Sequence, residues 1–275
     1  MKCLSLVAVG VGCLLFQSAY ATLLFSDGFN YTTPGNLAGN VNPGSGYKWG
    51  PGNNAMTIAS GNLTYPGLQD LGGNELSIVW GGGAGSITNG FANVTSGTIY
   101  YSFLLDVTTV PSAQSYLTSL NPGTSTPNGS SDAIAMYFGT VTGGGGYRLG
   151  IRGGGASAVY TPSGSPFSLN TTNLIVLGYN FNGGVAANNL SLWVNPTPGG
   201  IMPLATLTLT PNTVATSIDN VGFKVQGTPT GAFLIDNLLV GTTWADVTQP
   251  IPEPATFALA GLGLLGLVLA RRIRR

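Results

Sequence analysis

The sequence predicts an all-β body, either a sandwich or a barrel, for residues 22–250 of the 275-residue chain. Short runs rich in β-branched, aromatic and aliphatic residues recur along the body, and clusters of Gly, Pro, Asn, Ser and Thr separate them. No run in this part of the chain has the length and periodicity of a helix, a combination that is typical of sandwiches and barrels. The predicted strands are residues 75–80, 98–107, 133–138, 147–151, 173–179, 190–194, 204–209, 220–225 and 233–240.

The residue pattern inside three of these runs indicates how each strand is buried. Residues 98–107 are apolar on both faces, which predicts a central strand. In residues 190–194 three aliphatic side chains fall on one face of the strand. In residues 204–209 threonine and apolar side chains alternate, which predicts a half-exposed strand.

Glycine-rich segments and longer polar segments predict the loops between the strands. Glycine adopts positive φ values without steric cost, so residues 81–83, 143–146 and 153–155 suit tight turns. The segment 143–146 does not fit a phosphate-binding loop, because a strand pattern follows it in place of a Gly-Lys-Ser/Thr ending and a helix. The polar residues 118–131 and 195–202 predict surface loops.

The residue types that the chain lacks exclude several kinds of chemistry. It has no histidine, and its two cysteines are Cys3 and Cys13. A Ser-His-Asp triad, a Cys-His dyad and the common zinc sites are therefore excluded from the body. Glu75 is the single glutamate of the body, and no two acids lie close in sequence on one strand face. This arrangement argues against a glycosidase with paired carboxylates.

Charged residues are sparse, and the formal net charge of the chain is zero. The bases of the body are Lys48, Arg148, Arg152 and Lys224. Its acids are Asp27, Asp70, Glu75, Asp106, Asp132, Asp219, Asp236 and Asp246. Four bases and eight acids spread along the body form no basic stripe that would neutralise phosphates. We therefore expect no nucleic-acid partner.

The N-terminus has the layout of a secretory signal peptide covering residues 1–21. A positive residue at Lys2 precedes an apolar core at 4–16, and Ala19 and Ala21 form an A-x-A cleavage site. We expect the chain to enter the export machinery and to be cleaved after this site. The alternative is an uncleaved membrane anchor, but an apolar core of 13 residues is short for a span.

The C-terminal segment 251–275 has three parts. Pro252, Glu253 and Pro254 come first, and sixteen residues without a charge follow at 255–270. The closing arginines are Arg271, Arg272, Arg274 and Arg275. A helix of this length spans about 24 Å, slightly less than a hydrocarbon core. The arginines favour a cytoplasmic end and so place the body outside, and the prolines keep Glu253 extended and open to a protease.

This arrangement resembles the PEP-CTERM sorting signal, whose Pro-Glu-Pro motif, helix and basic end are recognised by an exosortase. The resemblance implies that an exosortase-type sorting enzyme and the membrane are partners, and that the tail is processed. It also implies delivery of the protein to the cell envelope or to an extracellular matrix. The alternative is a plain tail anchor that is never processed, because an apolar span followed by arginines is sufficient for insertion.

Three short segments, 24–31, 190–196 and 234–244, resemble laminin-G-like, concanavalin A-like jelly-roll domains of exported proteins. The resemblance implies that residues 22–248 form a two-sheet antiparallel jelly-roll sandwich. It also implies that the first and last strands of this domain pair with each other.

Pairing of the first and last strands would bring Asp27 near Asp236 and Asn237. The side-chain oxygens of these three residues are candidate ligands for a structural calcium ion. The alternative is that Asp27 begins a turn and that Asp236 and Asn237 lie at a strand edge or bulge. Calcium takes about six to eight oxygen ligands, and this requirement favours the alternative. We therefore expect no cofactor other than this candidate ion.

Aromatic side chains are candidates for a platform on which sugar rings stack. The candidates are Trp49, Trp80, Trp193, Trp244, Tyr100, Tyr101, Tyr147 and Tyr179. For each of them a place in the core is the expected alternative, since aromatic residues in strands are usually buried. The sequence thus predicts a non-enzymatic exported protein of the cell surface or matrix, with a polysaccharide as candidate ligand. The alternative is a secreted carbohydrate-active enzyme, a polysaccharide hydrolase or lyase of the concanavalin A-like fold.

Overall fold

The computed structural model describes residues 23–251, apart from residues 51, 53, 54, 124–126, 142, 144 and 184–189. The predicted signal peptide with Ala19 and Ala21 therefore lies outside the described residues. The same holds for Pro252, Glu253 and Pro254, for the predicted helix and for the terminal arginines. Within the described part of the chain, no helix has the length and apolar character needed to cross a membrane.

The described residues form two antiparallel β-sheets with almost no helix, which confirms the predicted all-β, two-sheet sandwich. In chain order the strands are β1 (Leu23–Asp27), β2 (Gly35–Asn36), β3 (Met56–Ala59), β4 (Glu75–Trp80), β5 (Gly85–Val94), β6 (Thr98–Thr109), β7 (Ser115–Asn121), β8 (Ile134–Gly139), β9 (Arg148–Arg152), β10 (Val159–Tyr160), β11 (Asn173–Asn180), β12 (Leu190–Val194), β13 (Leu207–Leu209), β14 (Ile218–Val225) and β15 (Gly231–Gly241). A short helix, α1 (Trp244–Val247), follows the last strand.

The strand order shows how distant parts of the chain meet. The nine-stranded sheet has the order β13-β12-β11-β6-β15-β4-β3-β2, and β1 also pairs with β15. The six-stranded sheet has the order β10-β9-β8-β7-β14-β5. The first and last strands pair as expected, with Phe25 opposite Val240 and Asp27 opposite Leu238.

The core lies between the two sheets and is rich in aromatic rings. Phe138 of β8 stacks on Phe233 of β15, with ring centroids 4.7 Å apart and planes inclined by 13°. Trp80 of β4 packs edge-on against the same Phe233 ring, also with centroids 4.7 Å apart. These contacts join the inner faces of the two sheets, as in other sandwiches.

Strand β6 is buried on both faces, as its apolar sequence predicted. Phe103 and Leu105 face the core between the sheets. Tyr100 and Leu104 face the other way and belong to a second cluster, which includes Leu63 and Val247 and covers the outer face of the nine-stranded sheet. Side chains alternate between the two faces of a strand, so one face of β6 packs in the core between the sheets and the other packs in the second cluster.

Several segments differ from the sequence predictions. Of residues 204–209, only Leu207–Leu209 pair, and the Val194 backbone N–H, further along β12, donates to the side-chain Thr206 Oγ1 at 3.2 Å. Residues 118–121, predicted as part of a surface loop, belong to β7, and Thr118 Oγ1 donates to the Gly222 carbonyl oxygen at 2.8 Å. Strands β2, β3, β5, β7 and β10 were not predicted; in β5, the longest of them, glycines and asparagines hide the alternation of the buried residues.

Candidate functional site

Asp27 ends β1 with its carboxylate buried among protein donors. It accepts hydrogen bonds from the Phe29 backbone N–H at 2.8 Å, the Tyr31 hydroxyl at 2.7 Å and Trp49 Nε1 at 2.8 Å. Burial raises the pKa of Asp27, and these hydrogen bonds oppose the rise. Trp49 belongs to the core between the sheets, so the Asp27 carboxylate faces that core.

Asp236 and Asn237 form a bulge in β15, where the register with β6 shifts and Asn237 has a left-handed φ of 52°. Asp236 accepts a hydrogen bond from the Leu63 backbone N–H at 3.0 Å. Asn237 accepts one from the Leu71 backbone N–H at 2.9 Å and donates one to the Gln69 carbonyl oxygen at 3.0 Å. The two side chains therefore hold residues 63–71 against the outer face of the nine-stranded sheet.

The predicted calcium ligands thus lie on paired strands but are not gathered at one point. Asp27 faces the core between the sheets, whereas Asp236 faces the segment on the other side. Each of these side chains already binds protein donors. Among the described residues, no group of three or more His, Cys, Asp or Glu side chains is placed to hold a metal ion.

The predicted sugar-stacking aromatics occupy the two hydrophobic clusters. Seven of the eight are buried, and Trp244 is half-buried against Trp193 with ring centroids 5.1 Å apart. A strongly exposed ring belongs instead to Tyr47, whose side chain is 57% exposed. The strand pattern did not single out Tyr47, because it lies in a loop before β3.

The outer face of the six-stranded sheet gathers cationic and aromatic side chains that are far apart in the sequence. In β9, Leu149 and Ile151 enter the core, so Arg148 and Arg152 point outward. The rings of Tyr137 from β8 and Tyr160 from β10 lie on the same face. We call Arg148, Arg152, Tyr137 and Tyr160 the arginine–tyrosine face.

Each guanidinium of this face is held by one nitrogen and by one ring. Arg148 Nε donates to the Thr161 carbonyl oxygen at 2.6 Å, and its Cζ lies 5.3 Å from the Tyr160 ring centroid. Arg152 Nε donates to the Ala156 carbonyl oxygen at 2.9 Å, and its Cζ lies 6.0 Å from the Tyr137 ring centroid. Among the described residues, no carboxylate forms an ion pair with either arginine. The two cations are therefore fixed in place and available to an anion.

Glycines at two neighbouring positions leave room for the Tyr160 ring. A Cβ at Gly150 would lie 2.5 Å from Tyr160 Cδ1, and a Cβ at Gly139 would lie 2.8 Å from it. The ring therefore lies across β9 and β8 where side chains are missing. Gly150 belongs to the predicted strand 147–151, whereas Gly139 lies just beyond the predicted strand 133–138, and only their positions beside Tyr160 reveal this use.

Tyr116 and Asp132 border the arginine–tyrosine face. The Tyr116 ring packs against Tyr137 with centroids 5.5 Å apart, and its hydroxyl donates to the Pro127 carbonyl oxygen at 2.9 Å. Asp132 accepts hydrogen bonds from the backbone N–H groups of Asn128 and Gly129. Burial raises the pKa of Asp132, and the hydrogen bonds from Gly129 and Asn128 oppose the rise.

Three acids lie on the opposite side of the sandwich, on adjacent strands of the nine-stranded sheet. They are Glu75 of β4, Asp236 of β15 and Asp106 of β6, and burial raises the pKa of each. No local sequence pattern pairs these acids, because the three come from distant parts of the chain. Asp236 is 1% exposed beneath residues 63–71, so this group has little access to a substrate.

Several solved structures resemble this chain at low sequence identity. The globular domain of T. cruzi calreticulin is 10% identical, with 91% of this chain and 100% of that one covered and a TM-score of 0.49. Endo-β-1,4-glucuronan lyase from the fungus Trichoderma reesei is 12% identical, with 82% and 98% covered and a TM-score of 0.48. An alginate lyase from Pseudomonas aeruginosa is 12% identical, with 68% and 97% covered and a TM-score of 0.42. Comparison with curated protein sequences gives no match.

The C-terminal tail matches a protein-family model. The matched region contains Pro252, Glu253 and Pro254 together with the four terminal arginines, which the sequence analysis assigned to sorting. This motif implies export, anchoring at the C-terminus and processing by an exosortase-type enzyme, as the sequence predicted. The chain therefore carries, at residues 250–275, the PEP-CTERM protein-sorting motif.

Proposed function

We propose that this protein is kept at the cell surface or in the surrounding matrix, where its arginine–tyrosine face binds an acidic polysaccharide without cleaving it. The observation that carries the proposal is the pair of guanidiniums of Arg148 and Arg152. Each is fixed on a backbone carbonyl and over a tyrosine ring, without a carboxylate partner among the described residues. A side chain that is already ordered loses little conformational entropy when it binds.

The chemistry of this face suits a polymer with repeated carboxylates. A guanidinium pairs with a carboxylate through two parallel hydrogen bonds. Tyr137 is buried, so the partly exposed Tyr160 ring is the one that offers apolar surface to a sugar ring. Arg148 and Arg152 are four residues apart on one strand, which separates their backbones by about 13 Å. This spacing favours two acid groups of one polymer over a single small anion.

The sorting motif supports the same proposal. A PEP-CTERM protein is exported, so the body meets the polysaccharides outside the cell. Binding an acidic glycan after the tail is processed would hold the protein in the matrix without a membrane anchor. The body would then bind the matrix, and the tail would direct the protein to the cell surface.

Binding without cleavage is supported by the protonation states near the face. Burial raises the pKa of Tyr137 and of Tyr160, so a phenolate base is scarce at neutral pH. The carboxylates of Glu75, Asp106 and Asp236 lie on the other sheet, away from the arginines. A hydrolase or lyase needs an acid and a base at the bound sugar, and among the described residues this face offers neither a pair of carboxylates nor a readily formed phenolate base.

The test measures binding of the full-length protein to polygalacturonate and alginate by affinity electrophoresis. We expect Arg148→Gln combined with Arg152→Gln to weaken binding about tenfold or more, since each lost charge-assisted pair contributes about 1.5–3 kcal/mol. Lys48→Gln removes a base elsewhere and should leave this binding unchanged. Added salt should weaken the wild-type interaction, because partly exposed charges are screened.

Two results would contradict the proposal. Equal binding by the double arginine variant would show that the face is not the site. Release of reducing ends or of unsaturated uronate products by the wild type would replace the binding function with the alternative, a carbohydrate-active enzyme.

A further inference from the structure

A second cleft opens at the opposite edge of the six-stranded sheet. It has a volume of about 400 Å³, and its lining includes Tyr47, Lys48, Asn89, Asp219 and Asn220. Strands β5 and β14, which carry three of these residues, stand at one edge of the sheet, whereas β9 and β10 stand at the other. We call it the Tyr47 cleft. Its volume lies within the range of small-molecule sites, about 300–1,000 Å³.

The Tyr47 ring forms one wall of this cleft and is held in place. A Cβ at Gly90 would lie 3.5 Å from Tyr47 Cγ, so the ring lies against the strand at a position that has no side chain. The Tyr47 carbonyl oxygen accepts hydrogen bonds from the Asn42 backbone N–H at 2.9 Å and from Asn89 Nδ2 at 3.3 Å. The loop is thus anchored while the ring remains 57% exposed. An ordered, exposed aromatic ring is the kind of surface on which a sugar ring stacks.

Two oxygens at the cleft lack a hydrogen-bond partner. Asp219 Oδ1 and Asn220 Oδ1 are buried, and neither accepts a hydrogen bond from any described residue. Asn220 is 3% exposed and lines the cleft. Leaving a buried acceptor unpaired costs about 1–3 kcal/mol, so a ligand donor that reached either oxygen would recover part of that energy. Hydroxyl groups are donors of this kind.

The charges around the cleft favour an uncharged ligand. Lys48 and Asp219 contribute one positive and one negative charge to the lining, and no other charged residue lines it among the described residues. A metal cation would meet one carboxylate and an ammonium group, whereas calcium takes about six to eight oxygen ligands. A polyanion would meet Asp219 as well as Lys48. A neutral sugar satisfies both groups through its hydroxyls.

We propose that the Tyr47 cleft is a binding site for a neutral hexose unit of a glycan, separate from the arginine–tyrosine face. Tyr47 stacks on the sugar ring, Asp219 and Asn220 accept hydrogen bonds from its hydroxyls, and Lys48 donates to a hydroxyl oxygen. The proposal does not depend on acidic-polysaccharide binding, because the two sites share no residue and differ in charge.

The test titrates the full-length protein, in a detergent without a sugar headgroup, with neutral hexose oligosaccharides by calorimetry. The probes are cello-, laminari-, manno- and galacto-hexaoses. We expect at least one of them to bind the wild type. Tyr47→Ala and Asp219→Ala should each raise its Kd about tenfold or more, whereas Tyr47→Phe, which keeps the ring, should stay within about threefold of the wild type. Because Tyr47 is mostly exposed, its replacement removes little buried surface.

Controls keep the two sites apart. Arg148→Gln combined with Arg152→Gln should leave the neutral-sugar Kd unchanged, and Tyr47→Ala should leave binding to polygalacturonate unchanged. Absence of binding for all four probes would overturn the cleft proposal, and so would a Kd that Tyr47→Ala does not alter. Either result would leave the arginine–tyrosine face untouched, since that site is measured with a different polymer.

Discussion

At the scale of single residues, Asp236 is a buried carboxyl whose pKa lies far above its ordinary value. Burial raises its pKa to about 8, and the nearby acids Asp70 and Glu75 add to the rise. The backbone N–H groups of Leu63 and Asn237 donate to its two oxygens and oppose the rise. At neutral pH the folded protein therefore keeps a proton on Asp236 that the unfolded chain, with a pKa of about 3.9, releases.

This difference predicts a pH dependence of stability. Between about pH 4 and pH 8 the folded state binds more protons than the unfolded state, so the free energy of unfolding should fall as the pH rises. Asp236→Asn has no proton to lose and should make this decline shallower. It should also cost about 1 kcal/mol at pH 5, because an amide nitrogen replaces one acceptor oxygen. Urea unfolding at pH 5 and pH 8.5 measures both effects.

The same decline in wild type and variant would show that Asp236 does not titrate in this range. Some slope should remain in the variant, because burial also raises the pKa of Asp27, of Glu75, of Asp106 and of Asp132.

At the scale of elements, the pairing of β9 and β10 builds the aromatic part of the arginine–tyrosine face. Tyr160 pairs with Gly150, and its ring lies over the space that a side chain at Gly150 would occupy. Strand β10 has two residues, so few hydrogen bonds hold it to β9. The packing of the Tyr160 ring at Gly150 is therefore important for the pairing of β10 with β9.

Gly150→Ala should disturb this pairing. The added Cβ would lie 2.5 Å from Tyr160 Cδ1 and 2.6 Å from the Val159 carbonyl oxygen, so ring and backbone both have to shift. We expect a loss of about 1–3 kcal/mol in the free energy of unfolding and weaker binding of acidic polysaccharide. Gly82→Ala is the matched control, since a Cβ there meets nothing within 4 Å and its change should stay within about 0.5 kcal/mol. Equal unfolding midpoints in urea for the two variants would refute this account.

At the scale of the whole molecule, the fold separates charges that the sequence mixes. The outward-facing bases of the six-stranded sheet are Arg148, Arg152 and Lys224. Asp70, Glu75 and Asp106 lie on the outer side of the nine-stranded sheet, together with Asp236, which keeps its proton at neutral pH. Three of the four bases of the body thus lie on the side of the six-stranded sheet, with Asp132 and Asp219 as acids of that side, and this surplus of bases favours the approach of a polyanion there.

We expect the C-terminal sorting motif to decide where the protein is delivered. Replacing Pro252, Glu253 and Pro254 by alanine removes the Pro-Glu-Pro part of the PEP-CTERM sorting motif. We expect the variant to accumulate in the membrane fraction at its unprocessed mass, while the wild type is released from its tail. Gln249→Ala, just before the motif, should be processed normally. Intact-mass spectrometry of the fractions checks this, and normal processing of the alanine variant would contradict the assigned motif.

The sequence by itself determined the fold class, the sorting motif and the chemistry that is excluded. Strand patterns have a period of two residues and reveal themselves locally, as residues 98–107 did for β6. A motif such as Pro252-Glu253-Pro254 is read from neighbouring residues and needs no fold. The missing histidines exclude triads regardless of tertiary structure.

Only the tertiary structure decided which side chains meet. Arg152 and Tyr137, or Asp106 and Asp236, become neighbours through strand order, and no local pattern encodes proximity across about 15 to 130 residues. The bulge at Asn237 turned Asp236 away from Asp27, although their strands pair as expected. The exposure of the aromatic side chains was also decided by the tertiary structure. The strand aromatics became core and the loop residue Tyr47 stayed at the surface, because burial depends on what packs above a residue and not on the residue alone.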